Sequence, residues 1–140
     1  MSDLFDLQRF VDAQEGGGTY DRALAELRAG RKTSHWMWFV LPQLAGLGSS
    51  EMARRYAISG ADEARAYLAH PVLGPRLREC AQVLTGLDAD DPVAVLGEID
   101  ARKLRSSMTL FAAVSDDPVF GQVLEQYCAG ARDPETTSRL

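Results

Sequence analysis

Apolar residues recur along this chain at three- and four-residue spacing, broken by short polar or glycine-rich stretches, which is the pattern of amphipathic helices. Leu4, Leu7, Phe10 and Val11 open the series, and Gly16-Gly17-Gly18 ends it. Thr19 is a natural N-cap, and Tyr20, Ala23, Leu24 and Leu27 repeat the spacing as far as Gly30, a natural C′ residue. Three further helices are predicted by Met52, Ala53, Tyr56 and Ala57, then Ala64, Tyr67 and Leu68, then Leu73, Leu77, Cys80, Ala81 and Leu84. His70-Pro71 ends the second of these, because a residue before proline is pushed out of the α region. An imidazole there is expected to meet the helix C-terminus. Asp91-Pro92 and Asp117-Pro118 each place a cap before a proline at the first helical position. A longer helix follows the first pair, with Ile99, Leu104, Met108, Phe111 and Ala112 on one face. Phe120, Val123, Leu124 and Tyr127 mark the last clear one.

The segment from Trp36 to Leu41 is apolar throughout and too short for periodicity to decide its conformation. A strand needs a partner, no other β run is evident, and an unpaired buried strand strands its backbone polar groups. With Ser34 to cap it and Pro42 to stop it, the segment is predicted as a short helix, apolar on all sides and therefore central. The whole pattern is that of an all-α protein: one domain over residues 1–140, of seven or eight short helices around that central apolar helix, with no linker or internal repeat.

Composition changes this picture little, but it narrows the function. The chain is 46% hydrophobic and 25% charged, as globular domains are. A net charge of −5, with only Arg28, Arg31 and Lys32 as a basic cluster, argues against nucleic acid as a partner. No signal-peptide pattern or membrane-length apolar run is evident, so a soluble, cytoplasmic protein with no membrane partner is expected. Cys80 and Cys128 lie in no paired motif and read as free thiols. The two histidines, His35 and His70, have no ligand spacing to cysteine or carboxylate, so no metal is expected. Gly16-Gly17-Gly18 lacks the strand and lysine of a phosphate-cradling loop, and no cofactor is implied.

Several strings occur together. They are Arg9-Phe10-Val11-Asp12-Ala13-Gln14, the Lys32–Gln43 segment with His35-Trp36-Met37-Trp38, and Tyr67-Leu68-Ala69-His70-Pro71-Val72-Leu73-Gly74. Asp100, Lys103-Leu104-Arg105-Ser106-Ser107-Met108-Thr109-Leu110-Phe111 and the closing Gly130, Asp133 and Thr136 complete the set. The combination resembles the bacterial family catalogued as domain of unknown function 1810, over nearly the whole chain. The resemblance implies a mainly α-helical fold and implies no activity.

Two clusters could carry chemistry. On a helix, Lys32, His35, Trp36 and Phe39 would share a face, and a cation, an imidazole and an indole on one stripe could clamp an anionic or aromatic ligand. The plainer reading makes Trp36 and Phe39 core, Lys32 solvated and His35 a structural donor. In the second cluster Asp100, Lys103 and Ser107 share a helix face and could bind a polar ligand or activate a nucleophile. Alternatively they form a surface pair, with hydroxyls bonded back to the helix. With Trp38 as a second aromatic wall, the candidate ligand residues are Lys32, His35, Trp36, Gln43, Asp100, Lys103 and Ser107.

Two functions compete. One is a pocket for a small anionic or nucleotide-like molecule, with catalysis an open question that would need His35, Asp100, Lys103 and Ser107 to meet. The other is a non-catalytic protein-interaction or structural module, its tryptophans in the core or serving as interface anchors. Oligomeric state is not readable from the sequence. Trp38, with Met37, Val40 and Leu41, is expected to be core, and Lys32, His35 and Trp36 to form the edge that faces a site.

Overall fold

The structure, a computed structural model, describes residues 3–140. Among them it contains helices and no strand, with Leu44 and Ile58 forming an isolated parallel bridge. The helices are α1 (Gln8–Glu15), followed by a 3₁₀ turn at Gly16–Gly18, α2 (Thr19–Arg28), α3 (Met37–Val40), α4 (Glu51–Arg55) and α5 (Ala61–Ala69). After these come α6 (Leu73–Gly86), α7 (Pro92–Leu96), α8 (Glu98–Val114), α9 (Val119–Cys128) and α10 (Pro134–Arg139). Ten α-helices stand among the described residues where seven or eight were expected, because the short segments α7 and α10 also close. Ser50 accepts from the Ala53 amide, Asp91 from Val93 and Asp133 from Glu135, as caps do. Thr19, by contrast, lies inside α2 and donates to the Gly16 carbonyl, and Ser34 gives its hydroxyl to Glu26 rather than capping α3.

The element on which the fold is assembled is α8, which packs against α5, α7, α9 and α10. Its Leu104, Met108, Leu110 and Phe111 are fully buried. Apart from Trp38, the Trp36–Leu41 segment is buried as expected, but it is not the central helix. Only one turn of it is helical, and its main packing partner is α1. The two regions are joined by a run of rings, Phe39–Tyr56–Phe10–Tyr67–Phe111–Phe120, with centroids 5.1–5.9 Å apart. Such pairs add about 0.5–1.5 kcal/mol each beyond the area they bury.

Polar groups inside the fold are tied to specific partners. Glu63, 3% exposed, accepts from Arg9, the Ser59 amide and the Ser59 hydroxyl. Gln14, equally deep, donates to the Phe39 carbonyl and accepts from Arg76. His70 differs from its expected role. Its Nδ1 accepts from the amides of Val72 and Leu73, so the imidazole serves the start of α6 rather than the end of α5. Gly74 is required in that first turn, since a Cβ there would lie 2.1 Å from the Leu68 carbonyl oxygen.

Candidate functional site

The strap from Arg31 to Trp36 connects α2 to α3 and is not helical, so Lys32, His35 and Trp36 do not form a helix stripe. Two carboxylates shape it. Glu26, near the end of α2, accepts four hydrogen bonds: from the amides of Thr33 (2.7 Å) and Ser34 (3.0 Å), from the Ser34 hydroxyl (2.6 Å) and from Trp36 Nε1 (3.0 Å). Burial raises the pKa of this carboxyl, but the donors from Ser34, Thr33 and Trp36 outweigh it and bring the group down to about 2. At the other end the Lys32 amide donates to the Val95 carbonyl, 2.7 Å away, tying the strap to α7.

The second carboxylate is Asp100, in the first turn of α8, where the helix dipole favours a negative charge. Gly97, at φ 89°, makes the sharp change of direction between α7 and α8 that brings this turn beneath the strap. Asp100 accepts an ion pair from Lys32 Nζ at 2.8 Å and a longer one from Lys103 Nζ at 3.6 Å. Each ammonium also lies 5.1 Å from a tryptophan ring centroid, Lys32 over Trp36 and Lys103 over Trp38. The result is an alternating cluster of ring, cation, carboxylate, cation and ring.

This cluster forms the wall of a cavity of about 510 Å³, within the range of small-molecule sites. Lys32, His35, Trp36, Asp100 and Lys103 of the seven candidates line it, together with Trp38, which was expected to be core. The two tryptophans exchange their expected roles: Trp36 has no exposed surface, whereas Trp38 is half-buried. Trp36 therefore supplies a platform for Lys32, and Trp38 is the ring available to a ligand. His35 is exposed at the rim.

The remaining two candidates lie elsewhere. Gln43 lines a neighbouring cavity of about 260 Å³. Ser107 lines neither cavity: it is completely buried, and its hydroxyl has no hydrogen-bond partner among the described residues. The catalytic constellation of His35, Asp100, Lys103 and Ser107 is thus not assembled. The adjacent hydroxyls of the same string are structural. Ser106 donates to Asp133, whose own amide donates to Thr109, pinning α10 onto α8.

Sequence reasoning missed Ile99 and Glu26. Ile99 was placed on the core face of α8, yet it is 70% exposed and lines the cavity. The five-residue step from Ile99 to Leu104 was the available signal, because it breaks the helical rhythm. Glu26 carries no local signal, since its partners lie seven to ten residues away. Neither thiol is a candidate nucleophile: burial pushes Cys80 up to about 12 and raises Cys128. Among the described residues no group of three metal-ligating side chains is assembled, and no helix is long and apolar enough to cross a membrane.

The family model for proteins of unknown function designated DUF1810 matches residues 4–140. The chain belongs to that family. A solved structure in similar form, the conserved hypothetical protein Rv1873 from Mycobacterium tuberculosis, shares 49% identity with it and superposes with a TM-score of 0.95. The match covers 99% of this chain and 98% of the other. No curated protein matches at a significant level. The all-α fold is thereby shared with that solved structure.

Proposed function

We propose that the protein binds a small anionic or nucleotide-like molecule in the cavity between the Lys32–Trp36 strap and the first turn of α8. The observation that supports this reading is the pairing of Lys32 and Lys103 on one carboxylate inside a cavity, with each ammonium on an indole face. A helical core needs none of these groups at its margin, and two lysines with side chains only 8% and 20% exposed are costly to desolvate without a use. Asp100 keeps them folded against the wall, and an anion entering the cavity competes with it for Lys103, the looser of the two. Trp38 offers a ring face beside that position.

The test is calorimetric titration with AMP, inorganic phosphate and benzoate, alongside Trp fluorescence. Binding of at least one anion, weakened at least tenfold in Lys103→Ala and reduced in His35→Ala, is the expected result. No heat and no spectral change with any of the three, nor with the diester probes used below, would remove the reading. The interaction-module alternative draws support from Val93 and Ile99, which are 49% and 70% exposed near the α7–α8 turn. Two isolated apolar side chains are ordinary on a protein surface, however, and do not make a docking patch.

A further inference from the structure

Resting on the ligand reading above, we infer that the two neighbouring cavities are one elongated site for a molecule with a single negative charge near its middle, of the phosphodiester class. The 510 Å³ cavity and the 260 Å³ cavity share two lining residues, Ile99 and Lys103, one turn apart on the same face of α8. A molecule long enough to occupy both lies across Ile99 and covers the side chain that is otherwise 70% exposed. It also passes Lys103, the cation common to both compartments. One end then meets Trp38 and His35. The other meets Gln43 and Leu47, beside residues at the start of α10.

Charge decides the kind of anion. In the larger compartment Lys32 and Lys103 bring two positive charges and Asp100 cancels one, while Glu98 is paired with Arg102 at 3.4 Å. Because Lys32 holds Asp100 at 2.8 Å and Lys103 only at 3.6 Å, the unspent positive charge belongs to Lys103. The smaller compartment is lined by Arg102, which is spent on Glu98, and by Asp133 and Glu135, the latter loosely paired with Arg139 at 3.9 Å. Among the described residues it therefore offers no free cation beyond Lys103, and its carboxylates repel further negative charge. Lys103 can therefore offset one negative charge at the centre of the site, and the carboxylates at its far end disfavour a pyrophosphate or a monoester dianion. A carboxylate normally ends a chain, so it would leave one compartment empty. A diester phosphate carries one charge and two substituents, one for each side. The net charge of −5 on the chain provides no attraction for a nucleic-acid polymer, so the ligand is a short, free diester.

The experiment is isothermal titration of the intact protein with four probes: bis(p-nitrophenyl) phosphate, the dinucleoside monophosphate adenylyl-adenosine, AMP and benzoate. Diester binding at least tenfold tighter than AMP is expected, by either diester. If only the adenylyl diester binds so, the class narrows to nucleosides. Lys103→Ala should remove that affinity. Gln43→Trp, which fills the smaller compartment, should bring the diester down to the level of AMP and leave AMP unchanged. Glu135→Trp at the exposed rim repeats the test should Gln43→Trp fold poorly. AMP or benzoate binding as tightly as the diesters, or diester affinity unmoved by both tryptophan variants, overturns the joined site and leaves the single-cavity reading standing. Absence of binding by all four at millimolar concentration overturns both.

Discussion

Two carboxylates grip the same strap from opposite sides, and they are satisfied in opposite ways. Glu26 is saturated, with four donors converging on it from Thr33, Ser34 and Trp36, and its ionised form is strongly favoured. Asp100 is held by two lysines of unequal reach beside a cavity. A carboxylate whose two oxygens are held by four fixed donors from backbone, hydroxyl and ring is a building element. A carboxylate whose partners are flexible ammonium groups, one of them loosely engaged, leaves a charge that another anion can claim. Structure is concentrated on the Glu26 side of the strap, and the recognition proposed above belongs to the Asp100 side.

The sharpest test of this division is at the tryptophans. Trp36→Ala should cost about 3–5 kcal/mol, the range for emptying a buried aromatic site, and it also leaves Glu26 one donor short. Trp38→Ala should cost about 1 kcal/mol while abolishing the fluorescence response to ligand. Equal losses in urea melts would break the comparison.

Next in size, Glu26→Gln should destabilise by about 2 kcal/mol at neutral pH, discounted because the group is only partly buried. Its folded pKa is depressed, so the stabilisation is fully present above the ordinary value of 4.5 and is lost as pH falls toward about 2. The gap between wild type and variant should therefore narrow across that window, and a gap that widens there would contradict the clamp.

Asp100→Asn should cost about 1 kcal/mol, since Lys32 keeps an amide oxygen within reach but loses its counter-charge. It should also tighten anion binding, because the internal competitor is neutral. Weaker anion binding in this variant would make Asp100 part of the ligand contact instead. Smallest of all, Lys103→Ala should change stability by no more than about 0.5 kcal/mol, as expected for one partner of a long, partly exposed ion pair.

The helices, their caps and the concentration of chemistry between Lys32 and Gln43 were legible because each is written locally. Asp91-Pro92 and the three- and four-residue spacing need only near neighbours to act. The exchange of roles between Trp36 and Trp38 was not legible, since both carry the same side chain two residues apart. Trp36 is buried because its ring nitrogen finds Glu26, ten residues earlier, and Trp38 is left at the cavity because Lys103 arrives from α8.

The amino-acid sequence by itself determined an all-α chain, the position of its turns and a short list of residues with more chemistry than packing requires. Tertiary structure decided which of them meet. It placed Asp100 and Lys103 beneath Lys32, left Gln43 in the adjoining compartment and enclosed Ser107 in the core. The physical reason is range. Helix propensity and capping act over about four residues. The burial of a side chain and the balance of a charge depend on elements sixty or seventy residues away, which only the assembled fold brings into contact.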